Sequence, residues 1–181
     1  MIKGIIFDFE GPIMDMGDPD ILQDYSLRKG LDRGAMYRVM HRYFDGAHVG
    51  EFKDFTDFYT KENPKEFTLE EFKEALDAYN DSRGINGRTV NLIRELKTRY
   101  KIGLFSNFDN RLGHYLEEFG ITNLFDVVIN SHELKAEKPD EVAFRRALEK
   151  FGMRPEEVIF IDDKSGNIEG AERMGIKSIH F

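Results

Sequence analysis

Seven residues whose side chains suit phosphate or metal chemistry stand at the ends of apolar runs or in the loops that follow them. They are Asp8, Glu10, Ser106, Asn107, Lys138, Asp162 and Asp163. Carboxylates bind hard cations such as Mg²⁺ and act as nucleophiles or proton carriers, whereas a hydroxyl, an amide and an ammonium donate hydrogen bonds to an anion. Each residue taken alone also fits a turn, a helix cap or a solvated charge. They predict a reactive site only if the fold brings them together.

Five short apolar runs predict the strands that would position these residues. The runs cover residues 4–9, 101–105, 126–130, 158–161 and 177–181. They are nearly continuous, which is typical of strands buried on both faces of a parallel sheet. Helical patterns cover residues 89–96, 111–119 and 139–151, with Pro139 expected at the first position of the last helix and Gly152 at its end. This alternation predicts an α/β fold with a doubly wound, mostly parallel, Rossmann-like sheet.

All seven residues then fall at one edge of the sheet. In open α/β sheets ligands bind outside the carboxyl ends of the strands. Four polar features that arrive in order at these ends are hard to attribute to chance, so we expect a shared site there.

A long helical region interrupts the alternation after the first strand. It covers residues 18–82 and contains helical patterns at 36–44, 52–59 and 68–79. The last pattern opens with a capping box, Thr68 to Glu71. We therefore expect a small all-helical cap inserted after strand 1. The predicted boundaries are 1–14 and 85–181 for a Rossmann-like catalytic core and 15–84 for the cap, with residues 82–87 as the return hinge.

The composition limits the partners and the location. The chain has 181 residues, a formal net charge of −8 and a sequence pI near 5.2. This balance argues against binding to nucleic acid or to an anionic membrane surface, because both need a basic face. No apolar run approaches the ~20 residues of a membrane span. The absence of cysteine excludes disulfides, thiolate metal sites and a cysteine nucleophile. We expect a cytoplasmic protein.

Four segments in order carry a family resemblance. They are Phe7-Asp8-Phe9-Glu10-Gly11, Leu104-Phe105-Ser106-Asn107, Glu137-Lys138-Pro139-Asp140, and Phe160-Ile161-Asp162-Asp163 continuing to Asn167. Together they resemble the haloacid dehalogenase-like (HAD) hydrolase superfamily, in the branch with a helical cap inserted after the first strand. The resemblance implies a Mg²⁺-dependent hydrolase that cleaves small phosphate monoesters through an aspartyl-phosphate on Asp8. We expect a small phosphorylated metabolite as its partner and either a monomer or a homodimer.

The resemblance also implies the metal ligands. Asp8 would be the nucleophile and would bind Mg²⁺ through a carboxylate oxygen. The backbone carbonyl of Glu10 and either Asp162 or Asp163 would complete the protein ligands. Oxygen donors rich in carboxylate suit Mg²⁺.

The phosphate-binding groups follow from the same resemblance. Lys138 would pair with Asp8 and with a phosphate oxygen, so it would keep Asp8 ionised and spread the charge of the transition state. Ser106 and Asn107 would donate hydrogen bonds to the transferring phosphoryl group, together with the loop amides after Asp8.

Glu10 departs from the superfamily pattern, which has Asp two residues beyond the nucleophile in its phosphatases. That residue protonates the leaving group and then activates water. The side chain of Glu reaches roughly 1.5 Å further than that of Asp, and proton transfer needs an approach of about 2.6–3.2 Å. We therefore expect Glu10 to be a competent acid/base only if the loop or the cap compensates, and the enzyme to be slow otherwise.

Three alternatives remain open at this stage. A catalytically weak relative would bind ligands or regulate a partner, with Glu10 as a sign of lost activity. A haloacid dehalogenase would share the Asp8 nucleophile, but the Asp162-Asp163 pair would repel its carboxylate substrate. A phosphonatase would need a Schiff-base lysine in the insert, and we can assign none. The cap offers several cationic side chains as possible substrate contacts: Arg28, Arg38, His41, Arg42, His48 and Lys53.

Overall fold

A computed structural model describes all 181 residues as one parallel sheet with helices on both faces and a helical insert after the first strand. The strands are β1 (Gly4–Phe7), β2 (Lys101–Ser106), β3 (Val127–Asn130), β4 (Val158–Asp162) and β5 (Lys177–His180). The helices are α1 (Pro19–Arg28), α2 (Ala35–His48), α3 (Phe55–Glu62), α4 (Leu69–Asp81), α5 (Gly87–Leu96), α6 (Leu112–Glu118), α7 (Ser131–Leu134), α8 (Glu141–Phe151) and α9 (Ser165–Arg173). Short 3-10 turns occupy Thr122–Leu124 and Pro155–Glu157.

The sheet has the strand order β3-β2-β1-β4-β5, and every neighbouring pair is parallel. The first strand is therefore the central one, and Ile6 lies opposite Gly103 on one side and Phe160 on the other. All four residues of β1 are buried. This confirms the prediction of a doubly wound parallel sheet. The arrangement also puts the residue that follows β1 at the middle of the carboxyl edge.

Two apolar layers cover the faces of the sheet. On one face, strand residues such as Leu104 pack with Ile93 of α5 and Leu112 of α6. On the other face, strand residues such as Phe160 pack with residues of α8 and α9, including Phe144 of α8. Burying a side chain of this size contributes about 1.5–3 kcal/mol. The sheet is held from both sides, so the loops at its carboxyl edge rest on a rigid base.

The helical insert, which we define as α1 to α4, has an apolar core of its own. Fourteen buried residues between Leu22 and Tyr79 form one cluster. Its centre is aromatic: Tyr43, Phe58 and Phe72 contact one another edge to face or at a tilt. The capping box at Thr68 forms as predicted, with reciprocal hydrogen bonds to Glu71. The helical prediction for this region is confirmed. No helix of the chain combines the length and the apolarity that crossing a bilayer requires.

Several element boundaries differ from the predictions. The first strand ends at Phe7, not at residue 9, because the carbonyl of Phe9 accepts the N–H groups of Ile13 and Met14 and the chain turns there. The helix α8 begins at Glu141, not at Pro139, because residues 137–140 form a turn of their own closed by the Asp140 N–H. Within the insert, the three predicted helices are shifted or longer.

Candidate active site

Asp8 stands directly after β1, at the centre of the carboxyl edge. Its backbone N–H donates to the carbonyl of Ile161 at 2.8 Å. Its Oδ1 accepts the N–H of Phe9 at 2.7 Å and lies 2.9 Å from Nζ of Lys138. Both protein contacts of the carboxylate use Oδ1, so the carboxylate is held in one orientation and Oδ2 is left for chemistry.

Lys138 joins two carboxylates, that of Asp8 directly after β1 and that of Asp162 at the end of β4. Its side chain is 1% exposed, and its ammonium lies 2.9 Å from Asp8 and 2.7 Å from Asp162. The third contact is a hydrogen bond of 2.9 Å to the carbonyl of Phe105. An ammonium has three protons, and this arrangement directs all of them at oxygen. Lys138 is thus a fixed positive charge between two buried acids.

Asp162 and Asp163 are neighbours in sequence but differ in their surroundings. Asp162 accepts hydrogen bonds from the side chain of Lys138, the backbone N–H of Lys164 and the amide of Asn167, and both of its oxygens are used. By contrast, Oδ1 of Asp163 is buried without any hydrogen-bond partner. A buried carboxylate oxygen without a donor is costly unless something else binds it.

The donor set fits a hard divalent cation. One carboxylate oxygen from each of Asp8, Asp162 and Asp163 lies within 4.8 Å of the others. The backbone carbonyl of Glu10 accepts no hydrogen bond from the protein. These are oxygen donors only, with an orphaned oxygen on Asp163, which matches the preference of Mg²⁺. Since Asp162 is already saturated, Asp163 is the better direct ligand of the two.

The loop after Asp8 can approach Asp163 only because it carries glycine. Gly11 has a φ of +89°, and a Cβ built there would lie 2.5 Å from Cγ of Asp163. Residues with a side chain rarely adopt this backbone conformation, and here there is no room for one. Gly11 therefore brings the loop of β1 against the loop of β4.

The electrostatics of the edge are dominated by its acids. Burial raises the pKa of Asp8 to about 7, and the charge of Asp162 raises it too, while Lys138 opposes both. Partial burial alone would lower the pKa of Lys164, but Glu10, Asp8 and the Asp162-Asp163 pair outweigh it and raise this pKa. Without a bound cation, Asp8 thus holds its proton more tightly than an ordinary aspartate.

Ser106 is the last residue of β2 and Asn107 follows it, and the two use their side chains differently. Ser106 is buried, and its hydroxyl makes no hydrogen bond to the protein, so it is free to donate to a ligand. The side-chain amide of Asn107 donates to the carbonyl of Lys138 at 2.8 Å, and its oxygen accepts the N–H of Lys138 at 2.9 Å. Asn107 thus fixes the backbone that carries Lys138. Its predicted contact with a phosphoryl oxygen stays a prediction, and its side chain would have to leave Lys138 to make one.

Glu10 has a partner in the return segment of the insert. Its Oε1 lies 3.0 Å from Nη1 of Arg83, whose side chain is 6% exposed, while that of Glu10 is 18% exposed. Arg83 follows α4, inside the predicted hinge. The acid that departs from the superfamily pattern is therefore ion-paired with the segment that leads out of the insert.

One set of contacts between the insert and the core lies beside the loop after β2. The hydroxyl of Tyr43 donates to Asp109 at 3.3 Å, and Asp109 also pairs with Arg111 at 2.8 Å. The guanidinium of Arg111 lies 4.8 Å above the ring of Phe55 in the insert. Asp109 is fully buried. These contacts seat the insert over the carboxyl edge.

Of the six cationic residues considered as substrate contacts, His48 is half-buried and the other five are exposed. Arg38 and Arg42 form surface ion pairs with Asp32 and Glu66. Burial lowers the pKa of His48 to about 4, in the neighbourhood of Asp109, Lys164 and Arg111. His48 is thus a neutral imidazole turned toward the core.

The family model described as haloacid dehalogenase-like hydrolase matches residues 5–181. The chain belongs to this family. It is therefore a hydrolase, and the matched region contains all seven predicted site residues.

Individual relatives of this HAD-like hydrolase span different shares of its length. The rhythmically expressed gene 2 protein of Drosophila melanogaster is 42% identical over 76 residues, which cover 40% of this chain and 29% of that protein. A phosphoglycolate phosphatase of Photorhabdus laumondii is 25% identical over 183 residues, covering 96% of this chain and 77% of that protein. The first of these relatives therefore matches over less than a third of its own length.

Solved structures share the fold of this HAD-like hydrolase. A HAD family enzyme of Bacteroides thetaiotaomicron, an Asp12Ala mutant in complex with magnesium and inorganic phosphate, superposes with a TM-score of 0.79 at 19% identity, covering 99% of this chain and 94% of that one. An L-2-haloacid dehalogenase of Xanthobacter autotrophicus gives a TM-score of 0.69 at 22% identity, covering 99% and 77%. At these identities the likeness concerns the fold.

Three polar residues of the site in this HAD-like hydrolase were not anticipated from the sequence. They are Arg83, which pairs with Glu10, Lys164, which faces the acids, and Asp109 at the contact with the insert. Lys164 directly follows Asp163, so its position after β4 was a usable signal. Arg83 had no such signal, because a charged residue in a hinge normally indicates a solvated turn.

Proposed function

We propose that this HAD-like hydrolase cleaves small phosphate monoesters in a Mg²⁺-dependent reaction through an aspartyl-phosphate on Asp8. The observation that carries the proposal is the pairing of Asp8 with Lys138 next to the unsatisfied carboxylate of Asp163. A cluster of three buried or half-buried acids is unsuited to an anionic substrate by itself, but a dication makes it suited to one. The Bacteroides enzyme that holds magnesium and phosphate on the same fold supports this assignment, as does the phosphoglycolate phosphatase relative.

The residues of this chain would divide the work as follows. Asp8 attacks phosphorus with Oδ2, the bond to the leaving oxygen breaks, and Glu10, which carries a proton on Oε2 while Oε1 faces Arg83, gives that proton to the leaving oxygen. Water then attacks the aspartyl-phosphate, Glu10 takes a proton from it, and the bond between Asp8 and phosphorus breaks. Lys138 stays beside Asp8 throughout and stabilises the developing charge, while the free hydroxyl of Ser106 donates to a phosphoryl oxygen.

Mg²⁺ would be held by Asp8, Asp163 and the carbonyl of Glu10, with Asp162 behind them. When bound, it supplies positive charge that offsets the repulsion between Asp8 and the phosphate dianion.

We also propose that the insert acts as a cap, as in the HAD branch with a helical cap inserted after the first strand. The boundaries would be 15–84 for the cap and 1–14 with 85–181 for the catalytic core. Support comes from the separate apolar core of α1 to α4 and from the seating of Tyr43 on Asp109. Closing such a cap excludes water from the reaction. The cytoplasmic location and the monomeric or dimeric state stay predictions.

The test is hydrolysis of 4-nitrophenyl phosphate by the full chain, with and without Mg²⁺. We expect turnover that is lost in EDTA and lost in Asp8→Asn, while the matched control Asp77→Asn, on the exposed face of α4, behaves as wild type. Activity that survives EDTA or survives Asp8→Asn would refute the mechanism. Release of chloride from a 2-chlorocarboxylate without metal would instead favour the dehalogenase alternative.

A further inference from the structure

Glu10 is long enough to reach a partner that an aspartate could not reach. Its Oε1 lies 3.0 Å from Nη1 of Arg83. An aspartate would end roughly 1.5 Å short of this position, so the ion pair depends on the extra methylene. The extra methylene that distinguishes Glu10 from the aspartate of the superfamily pattern is therefore what allows this contact.

Arg83 is poorly satisfied for a residue with a purely structural role. Its side chain is 6% exposed, yet its Nε is buried with no acceptor. Apart from Glu10, its guanidinium has a 3.8 Å contact to the sulfur of Met14 and lies 5.0 Å from the ring centroid of Tyr79. Buried arginines that only stabilise a fold are normally better hydrogen-bonded, and a shortfall of this kind calls for another explanation. Here the guanidinium has one carboxylate partner, which is Glu10.

The backbone of Arg83 is also hydrogen-bonded within the segment through which the chain leaves the insert. Its N–H donates to the carbonyl of Asn80 at the end of α4. The next residue, Gly84, accepts the N–H of Asp15 at 2.9 Å. The outgoing and returning segments are thus hydrogen-bonded to each other through Asp15 and Gly84, directly after Arg83, and the backbone of Arg83 is joined to the end of α4.

We infer that Arg83 is a positioning residue for Glu10, and that it makes the proton-transfer role of Glu10 depend on the placement of the helical insert. A free glutamate samples several rotamers about three torsions, whereas one held by a buried guanidinium keeps its carboxyl at one distance from Asp8. The return segment therefore aligns Glu10 when the insert is seated. This inference rests on the proposed phosphatase function.

The kinetic test compares substrates whose leaving groups need different amounts of protonation. We would measure kcat/KM for 4-nitrophenyl phosphate and for simple alkyl phosphates with wild type, Arg83→Met, Arg83→Lys, Glu10→Gln and the Arg83→Met/Glu10→Gln pair. Methionine keeps an apolar stem against Tyr79, and Arg88→Met on the exposed start of α5 is the matched control. General acid–base catalysis contributes about 10²–10⁴-fold.

We expect Arg83→Met to lose about 10–100-fold on alkyl phosphates and only a few-fold on the aryl ester, because misplacing the acid removes part of that contribution. Arg83→Lys should recover part of the loss. In the Glu10→Gln background, Arg83→Met should add little, because the two residues act as a unit. Equal losses on both substrates, or losses that add, would overturn the inference.

A second measurement separates this inference from the proposed function. The chain has no cysteine, so spin labels can be placed at the exposed positions 37 on α2 and 142 on α8 as Tyr37→Cys and Val142→Cys. We expect the distribution of label distances to broaden in Arg83→Met and in Glu10→Gln alike. An unchanged distribution in both would refute the coupling to the insert. A wild type inactive on every ester would refute the phosphatase proposal, and the label distances would still decide whether the ion pair ties the loop to the insert.

Discussion

Replacing Asp162 and Asp163 by asparagine, one at a time, should show that the first acid mainly stabilises the fold and the second mainly binds the metal. Asp162 accepts hydrogen bonds from three donors, including the buried ammonium of Lys138 at 2.7 Å. Hydrogen bonds to charged groups contribute about 1.5–3 kcal/mol each. In Asp162→Asn, one oxygen becomes an NH₂ group that faces Lys138 or the amide of Asn167, so at least one such bond is lost and a repulsive contact replaces it.

We expect Asp162→Asn to lower the free energy of unfolding by about 2–4 kcal/mol in the metal-free protein. For a chain of this size that corresponds to a fall in Tm of roughly 4–16 °C. The substitution also removes the repulsion between Asp162 and Asp8, so the expected loss of stability is smaller than the sum of the individual hydrogen bonds.

Asp163→Asn should behave in the opposite way. Its Oδ1 has no partner to lose, so the metal-free Tm should stay close to that of wild type. Its affinity for Mg²⁺ should fall by at least about tenfold, because a direct ligand matters at least as much as the outer-shell groups whose loss costs 10–100-fold.

The assay is thermal unfolding in EDTA, followed by titration of each variant with Mg²⁺, with Asp77→Asn as the control. The reasoning would be refuted if Asp162→Asn were as stable as wild type, or if Asp163→Asn bound Mg²⁺ with unchanged affinity. An exchange of the two phenotypes would mean that Asp162 is the direct ligand.

Three further predictions concern packing and pH. Gly170→Ala should lower the free energy of unfolding by about 1–3 kcal/mol, because the new Cβ would lie 2.7 Å from a backbone carbonyl oxygen. Gly166→Ala in the same helix meets nothing within 4 Å and should raise the free energy of unfolding by about 0.5–1 kcal/mol. Chemical denaturation measures both changes. Phe72→Ala, at a fully buried position in the insert, should cost about 3–5 kcal/mol, and a loss below 1 kcal/mol in the same assay would contradict the packing described for the insert. Because the pKa of Asp8 is raised to about 7 from 3.8, the folded state retains a proton that the unfolded state releases between these values. Between pH 5 and pH 7, the unfolding equilibrium constant of the metal-free wild type should therefore rise relative to that of Asp8→Asn by up to about tenfold per pH unit. If the stabilities of the two proteins changed with pH in parallel, the raised pKa would be contradicted.

The sheet and the composition of its reactive edge were predictable from local patterns. Buried parallel strands are encoded as short apolar runs, and the polar residue after each run marks the carboxyl edge. Asp8, Ser106 and Lys138 fall together because strand order decides their neighbours, and adjacent parallel strands bring their ends to one place. The strands and the residues at their ends are thus encoded locally, whereas the strand order that brings these residues together is visible only in the structure.

The pairings across the site were not predictable in the same way. Glu10 and Arg83 are 73 residues apart, and nothing local distinguishes Arg83 from a solvated hinge residue. Asp162 and Asp163 look equivalent in sequence, and only the three-dimensional arrangement of donors shows that one is saturated and the other is not. Tertiary contacts that involve charge, unlike strands, leave no periodic trace.

The segment that enters the insert and the segment that leaves it lie side by side, since Met14 forms one β-bridge with Glu10 and another with Ile85. A segment whose entry and exit are neighbours can be lengthened, shortened or replaced without altering the distance that the flanking chain must span. A short linker between residues 14 and 85 could therefore span the gap left by the insert without changing where β1 ends. If the insert of another family member were put in its place, an arginine at position 83 would have to be kept so that Glu10 stays aligned.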